Sequence, residues 1–97
     1  MNIDFEAEVI HWRGPAPFYF LKIPVDFALS IKEISKTASY GWGVIPTTAT
    51  IGTFEFYTAL IPKDDSYLLP LKKAVREELK IDLGQQVEAS LHINSGL

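Results

Sequence analysis

Two histidines, three carboxylates on one strand and a knot of basic residues are the side chains of this sequence with the means to do chemistry. His11 and His92 are its only imidazoles, and imidazole is the side chain that most readily moves protons near neutral pH. His92 falls in phase with Gln86, Glu88 and Ser90 on a polar strand face. His11 continues the inward phase of Val9, at a strand end beside Trp12 and Arg13. Neither has a spaced nucleophile or third partner, so both read as satisfied or solvent-facing. A small enzyme site built from His11, His92 and barrel tyrosines is the weakest functional reading. There is no phosphate-binding glycine loop, nucleophile elbow, His-Glu-x-x-His or calcium loop. The absence of cysteine removes thiolate nucleophiles and thiolate metal ligation. No cofactor and no metal are expected.

Asp4, Glu6 and Glu8 alternate with apolar residues. Side chains two apart on a strand lie in a line ~7 Å from one another and do not converge as a metal cage would. A solvated face is the preferred reading, and a strip for a basic partner the alternative. Asp64 and Asp65, in a loop, are read the same way.

The basic knot is more informative. On a helix at ~100° per residue, Lys72, Lys73, Arg76 and Lys80 fall together opposite the core. Lys72 and Lys73 also occupy the first turn, where the macrodipole disfavours cations by ~0.3–1 kcal/mol each, while Glu77 and Glu78 lie toward the other end. That order is poor for the helix alone and suits an anion held at its N-terminus. Lys72, Lys73 and Arg76 are therefore the candidate ligand-binding residues, against the plainer reading of a solvated helix. Glu78 falls inside the apolar stripe of the same wheel. A place at the rim of the core is preferred, with Arg13 as the mate if it is buried.

The elements that must position these groups follow from periodicity. Ile3–His11 alternates as a half-buried strand, with Ile3, Phe5, Ala7 and Val9 inward. After the Gly/Pro break at 13–17, Phe18–Ile23 is evenly apolar, as a strand covered on both faces would be. Past Pro24 a helix carries Phe27, Ile31, Ile34 and Ala38 as one stripe. Asp26 is its preferred cap over the alternative box at Ser30–Glu33. Tyr40–Gly43 turns the chain into Val44 and Ile45. Thr47–Ile51 and Phe54–Ile61 flank Gly52-Thr53 as a hairpin, and Pro62–Ser66 reads as a polar loop. A second helix opens at Pro70, with Leu71, Ala74, Val75 and Leu79 as its apolar face, and Asp82-Leu83-Gly84 closes it. Val87, Ala89, Leu91 and Ile93 face inward from the last strand, and the tail 94–97 is expected to be loose. Leu29 lies off the first helix's stripe. Trp12, Trp42 and the tyrosines are assigned to filling the interior, as small barrels require. The order β-β-α-β-β-β-α-β with tight connections predicts a mainly β (α+β) single domain over 1–97, a small closed barrel with two helices.

The bulk numbers fit one folded domain. Of 97 residues, 47% are apolar and 22% charged, the balance of a chain with a core. The net charge of −3 opposes non-specific nucleic-acid binding but leaves room for a local basic patch. Acidic residues stand where a secretion signal would be basic, and no apolar run reaches the ~18 residues of a membrane span. A cytoplasmic setting is expected.

Three segments carry a resemblance: Tyr67–Arg76 (YLLPLKKAVR) with Leu79, Ile81, Gly84 and Val87; Tyr40–Pro46 (YGWGVIP); and Ile51-Gly52-Thr53. From Phe5 to Leu91 the chain resembles a bacterial domain family of unknown function, number nineteen-oh-five. Members of that family stand alone or beside a domain associated with bacteriocin protection. The resemblance implies a double-split β-barrel and a bacterial source, and brings no catalytic residues. Pro70, Arg76, Leu79, Ile81, Gly84 and Val87 are also spaced as in swapped-hairpin transition-state regulators and antitoxins, which dimerise and bind DNA. Five of these serve helix-turn-strand geometry, and Arg76 is the one that packing leaves unexplained. The expected function is a non-enzymatic binding or interaction module for a small anion or a protein partner. It is compatible with a homodimer, and the alternative is a DNA-binding regulator.

Overall fold

Alternation sets the first strand, β1 (Asn2–Trp12): Ile3, Phe5 and Val9 are buried, and Asp4, Glu6 and Glu8 are exposed. The computed structural model describes residues 2–12, 18–38 and 44–93, the side chains of 12 and 35–38 aside. Halfway along, β1 changes partner. Residues 2–8 pair with β6 (Gln86–Ile93), from Asn2↔His92 to Glu8↔Gln86, whereas Val9–Trp12 pair with β2 (Phe18–Lys22). The strand β4 (Phe54–Lys63) does the same. Its residues 54–60 pair with β3 (Ile45–Ile51), and Ile61–Lys63 with β5 (Ser66–Leu71). With β3 on β6 and β2 on β5, the antiparallel order β1-β2-β5-β4-β3-β6 closes on itself. Closure removes the long free edges that would invite aggregation. Two strands shared between two sheets give the barrel its doubly split form.

Inside, size is matched across strands. Ala49 stands opposite Phe56, and Ala89 opposite Phe5, so a small residue makes room for each ring. Leu21, Ile23, Ile31, Ile45, Leu60, Leu69 and Ile93 are fully buried around them. Each such side chain contributes about 1.5–3 kcal/mol by leaving water. The interior is thus mainly aliphatic. Of the tyrosines expected inside, Tyr67 is buried, but Tyr57 is 77% exposed and Tyr19 half-buried. Trp42 and Tyr40 lie outside the described residues.

Several expected boundaries move. Ile45 and Thr47–Ile51 form one strand running through Pro46. Pro62–Ser66 is not a loop: β4 continues to Lys63, the two-residue turn Asp64-Asp65 follows, and β5 begins at Ser66. Asp64 takes the left-handed φ of 53° that the turn requires, as Gly52 does at 62° in the expected β3–β4 hairpin. Pro70 does not open a helix but lies in β5, opposite Phe20. All three prolines sit where a strand has lost one neighbour. Pairing of β3 with β6 stops at Thr47, of β4 with β3 at Leu60, and of β5 with β4 at Leu68. A missing N–H is tolerated there.

Both helices start later than expected. Asp26 falls in a 3-10 turn (Val25–Phe27), and α1 spans Ala28–Ala38, so neither Asp26 nor Ser30 caps it. Ile31 is buried, Phe27 and Ile34 pack on the core, and Leu29 is 79% exposed. The second helix, α2, is only Lys73–Leu79. It ends with Lys80 at a left-handed φ of 54°, where Arg76 O accepts from the N–H groups of both Lys80 and Ile81. Val75 and Ile81 reach the core across that cap, whereas Ala74 is exposed and Leu71 belongs to β5.

At the turn into β5, the Ser66 hydroxyl is buried and donates to Ile23 O at 2.8 Å, beside the Ile23 N–H bond to Tyr67 O at 2.9 Å. Lys22 and Asp65 add an exposed ion pair at 3.0 Å, whose hydrogen bond holds the Asp65 carboxyl below its ordinary 3.8. Replacing Ser66 by Ala strands the Ile23 carbonyl, and urea denaturation should show a loss of about 1–2 kcal/mol. An unchanged midpoint would mean that water replaces the hydroxyl.

Candidate anion-binding groove

Lys72, Lys73 and Arg76 are brought together, though not as a helical strip. Lys72 is extended (φ −65°, ψ 157°) and precedes the helix. Lys73 opens α2, with its Nζ 3.7 Å from Glu77 and both side chains mostly exposed. Arg76, expected opposite the core, is half-buried. Its Nε donates to Leu71 O at 3.1 Å, and its guanidinium carbon lies 3.9 Å from the centre of the Tyr19 ring. The wheel went wrong because it began the helix at Pro70 and continued it through Lys80, which leaves the helix in a left-handed turn. With seven residues, α2 has fewer than two turns and offers an anion little macrodipole. Arg76 also loses its status as the residue packing could not explain.

What the three cations share is a groove of about 260 Å³ that they line with Phe18, Tyr19, Phe20 and Pro70. Its floor comes from the outer face of the β1-β2-β5-β4 sheet. Val9, Leu21 and Leu69 of that sheet point into the core, so their neighbours Ile10, Phe20 and Pro70 form an outward row. Lys22, Leu68 and Ile61 form the next. Phe20 and Leu68 are buried yet stand apart from the barrel core. A second cleft of about 220 Å³ lies over Ile10, Phe20 and Leu68, with His11, Lys22, Lys63 and Asp64 around it. Phe20 belongs to both.

The histidines do not form a site. His92 is exposed at one end of β1, with Nδ1 2.7 Å from the Asn2 side-chain oxygen. His11 is exposed at the other end, its ring 5.9 Å from that of Tyr19. Nine residues of strand, about 30 Å, separate Asn2 from His11. The acidic row is exposed as expected and meets a further carboxylate, since Glu6 stands directly opposite Glu88. Asp4, Glu6 and Glu88 border a shallow hollow of about 560 Å³ on the opposite sheet. Among the described residues no three His, Asp or Glu groups are placed to hold a metal. Glu78 is exposed at the rim, and Arg13 lies outside the described residues.

Sequence reasoning missed Tyr19, Phe18 and Phe20 as groove residues. The available signal was the even apolarity of Phe18–Ile23, which implied an outward apolar face. Arg76 is a positioning residue here, fastening α2 to β2 and β5. Arg76→Met should lose about 1–2 kcal/mol in urea denaturation, through the lost carbonyl bond and ring contact. The exposed Lys73→Met should stay within about 0.5 kcal/mol. Equal effects would contradict this division of labour.

Among curated proteins, none matches the chain. The profile of one family, described as Domain of unknown function (DUF1905), matches residues 5–91, which contain every strand pair of the barrel except Asn2↔His92, Ile3↔Leu91, Asp4↔Ser90, Thr48↔His92 and Thr47↔Ile93. With the closed six-stranded barrel and most of the groove inside that span, the chain belongs to the DUF1905 family.

Proposed function

We propose that this protein is a non-enzymatic binding module that takes a small anion into the groove between β2, β5 and α2. The observation that carries the reading is the convergence of Lys72, Lys73 and Arg76 on one concavity whose lining, among the described residues, contains no carboxylate. The net charge of −3 averages over two unlike faces. Asp4, Glu6, Glu8 and Glu88 cover the outside of the β1-β6 half, and the groove cations lie around the β2-β5 half. An anion is thereby steered toward one side of the barrel. A reducing, cytoplasmic setting is part of the proposal, supported by the absence of cysteine.

The DNA-binding alternative draws on the same cations and has less behind it. Lys73 is paired with Glu77, and Glu78 is exposed beside it, so the helix presents no continuous basic surface to a phosphate backbone.

Titration with inorganic phosphate and with a nucleotide, followed by amide shifts, tests the proposal. Shifts should centre on Lys72, Lys73 and Arg76 and vanish in a Lys72→Gln/Lys73→Gln variant. Shifts elsewhere, or none, would count against it.

A further inference from the structure

We infer that the anion this groove is built for carries an apolar body: an amphipathic carboxylate, with its head at Lys72 and Lys73 and its hydrocarbon laid across Phe20 toward Ile10 and Leu68. The inference rests on the anion reading above and deepens it to a ligand class. Lys72 and Lys73 are exposed, and exposed charge pairs in water give at most about tenfold in affinity, less in salt. A purely ionic ligand would be held weakly here. An apolar surface beside the cations supplies what they cannot.

Apolar side chains line both hollows. The groove at α2 and the cleft over Ile10 and Leu68 share Phe20. From Phe18 to Lys22, the five residues of β2, the strand runs about 13 Å, and Phe18 is 59% exposed at the α2 end. Phe20 and Leu68 face outward from the sheet but are 6% and 4% exposed, so the open apolar contacts beside them come from Phe18 and the half-buried Ile10. Among the described residues the α2 end is lined by three cations and no carboxylate, whereas the far cleft mixes Lys22 and Lys63 with Asp64, so the excess positive charge that would take the head lies at α2.

The test is a chain-length series, from acetate to decanoate, on the intact protein, followed by amide shifts. Each methylene that enters the groove should tighten binding about two- to fourfold, until the second cleft is filled. Shifts should spread from Lys72, Lys73 and Arg76 to Phe20, then to Ile10 and Leu68. Alcohols of matching length should bind more weakly, and Lys72→Gln/Lys73→Gln should weaken every carboxylate. Ile10→Thr, a strand-compatible change, should reduce the gain from long chains and leave acetate unaffected. Equal affinity for acetate and decanoate at the lysines would overturn this inference and leave the anion reading standing. Decanoate binding that ignores the lysine variant, or alcohols that bind as tightly, would overturn both. Shifts that change on dilution without ligand would place a second copy on the groove and overturn the inference as well.

Discussion

The Val9 N–H donates to Gln85 O at 2.8 Å, and the Val9 carbonyl accepts from Gly84 N–H at 2.9 Å, while the same residue stands opposite Leu21 of β2. At this residue β1 passes from one sheet to the other, and β4 makes the corresponding passage between Leu60 and Ile61. These two changes of partner turn two four-stranded sheets into one closed surface. The rest follows from them. The side chains of both sheets share one interior, and six short strands satisfy one another's backbone without a long exposed edge. Each short strand is marginal alone, so stability is a property of the closed set.

Closure also makes the groove. Because β2 lies between β1 and β5, Tyr19 is beside Leu71 in register. The helix that leaves β5 must then pass over this edge to reach β6. Arg76 fixes its path, stacking on Tyr19 and bonding to the Leu71 carbonyl. The lysines at the start of α2 are consequently held over aromatic side chains rather than over the acidic face. Tyr19 packs on the core and Arg76 fastens α2 to it, so the proposed ligand would meet the two lysines and the apolar side chains beside them.

Where the period was clear, the sequence was legible. β6 alternates strictly, with every inward residue from Val87 to Ile93 buried as the phase demands, and β1 alternates as far as Val9. The Gly52-Thr53 hairpin, the two helices and the closed barrel were readable for the same reason. The strand Ser66–Leu71 was not. Four of its first residues are buried in succession, so it has no alternation. Pro70 after Leu68-Leu69 mimics a helix start, and the turn before it uses Asp64 where Gly or Asn would have signalled a hairpin. That single misplacement shifted the helical wheel and put Arg76 on the wrong side. The candidate residues Lys72, Lys73 and Arg76 were singled out from charge order alone. Their aromatic partners were not, because β2 and α2 meet only through the β2–β5 pairing, which no local pattern encodes.

The claim that closure governs everything else is most directly tested by native-state hydrogen exchange. A closed barrel predicts that Val9, with core amides of β5 and β6, opens in one cooperative event at the free energy of global unfolding. The β1-β2-β5-β4 sheet should not open by itself. Exchange of the β2 and β5 amides at a clearly lower free energy, with β3 and β6 still protected, would show two separable sheets and contradict the account.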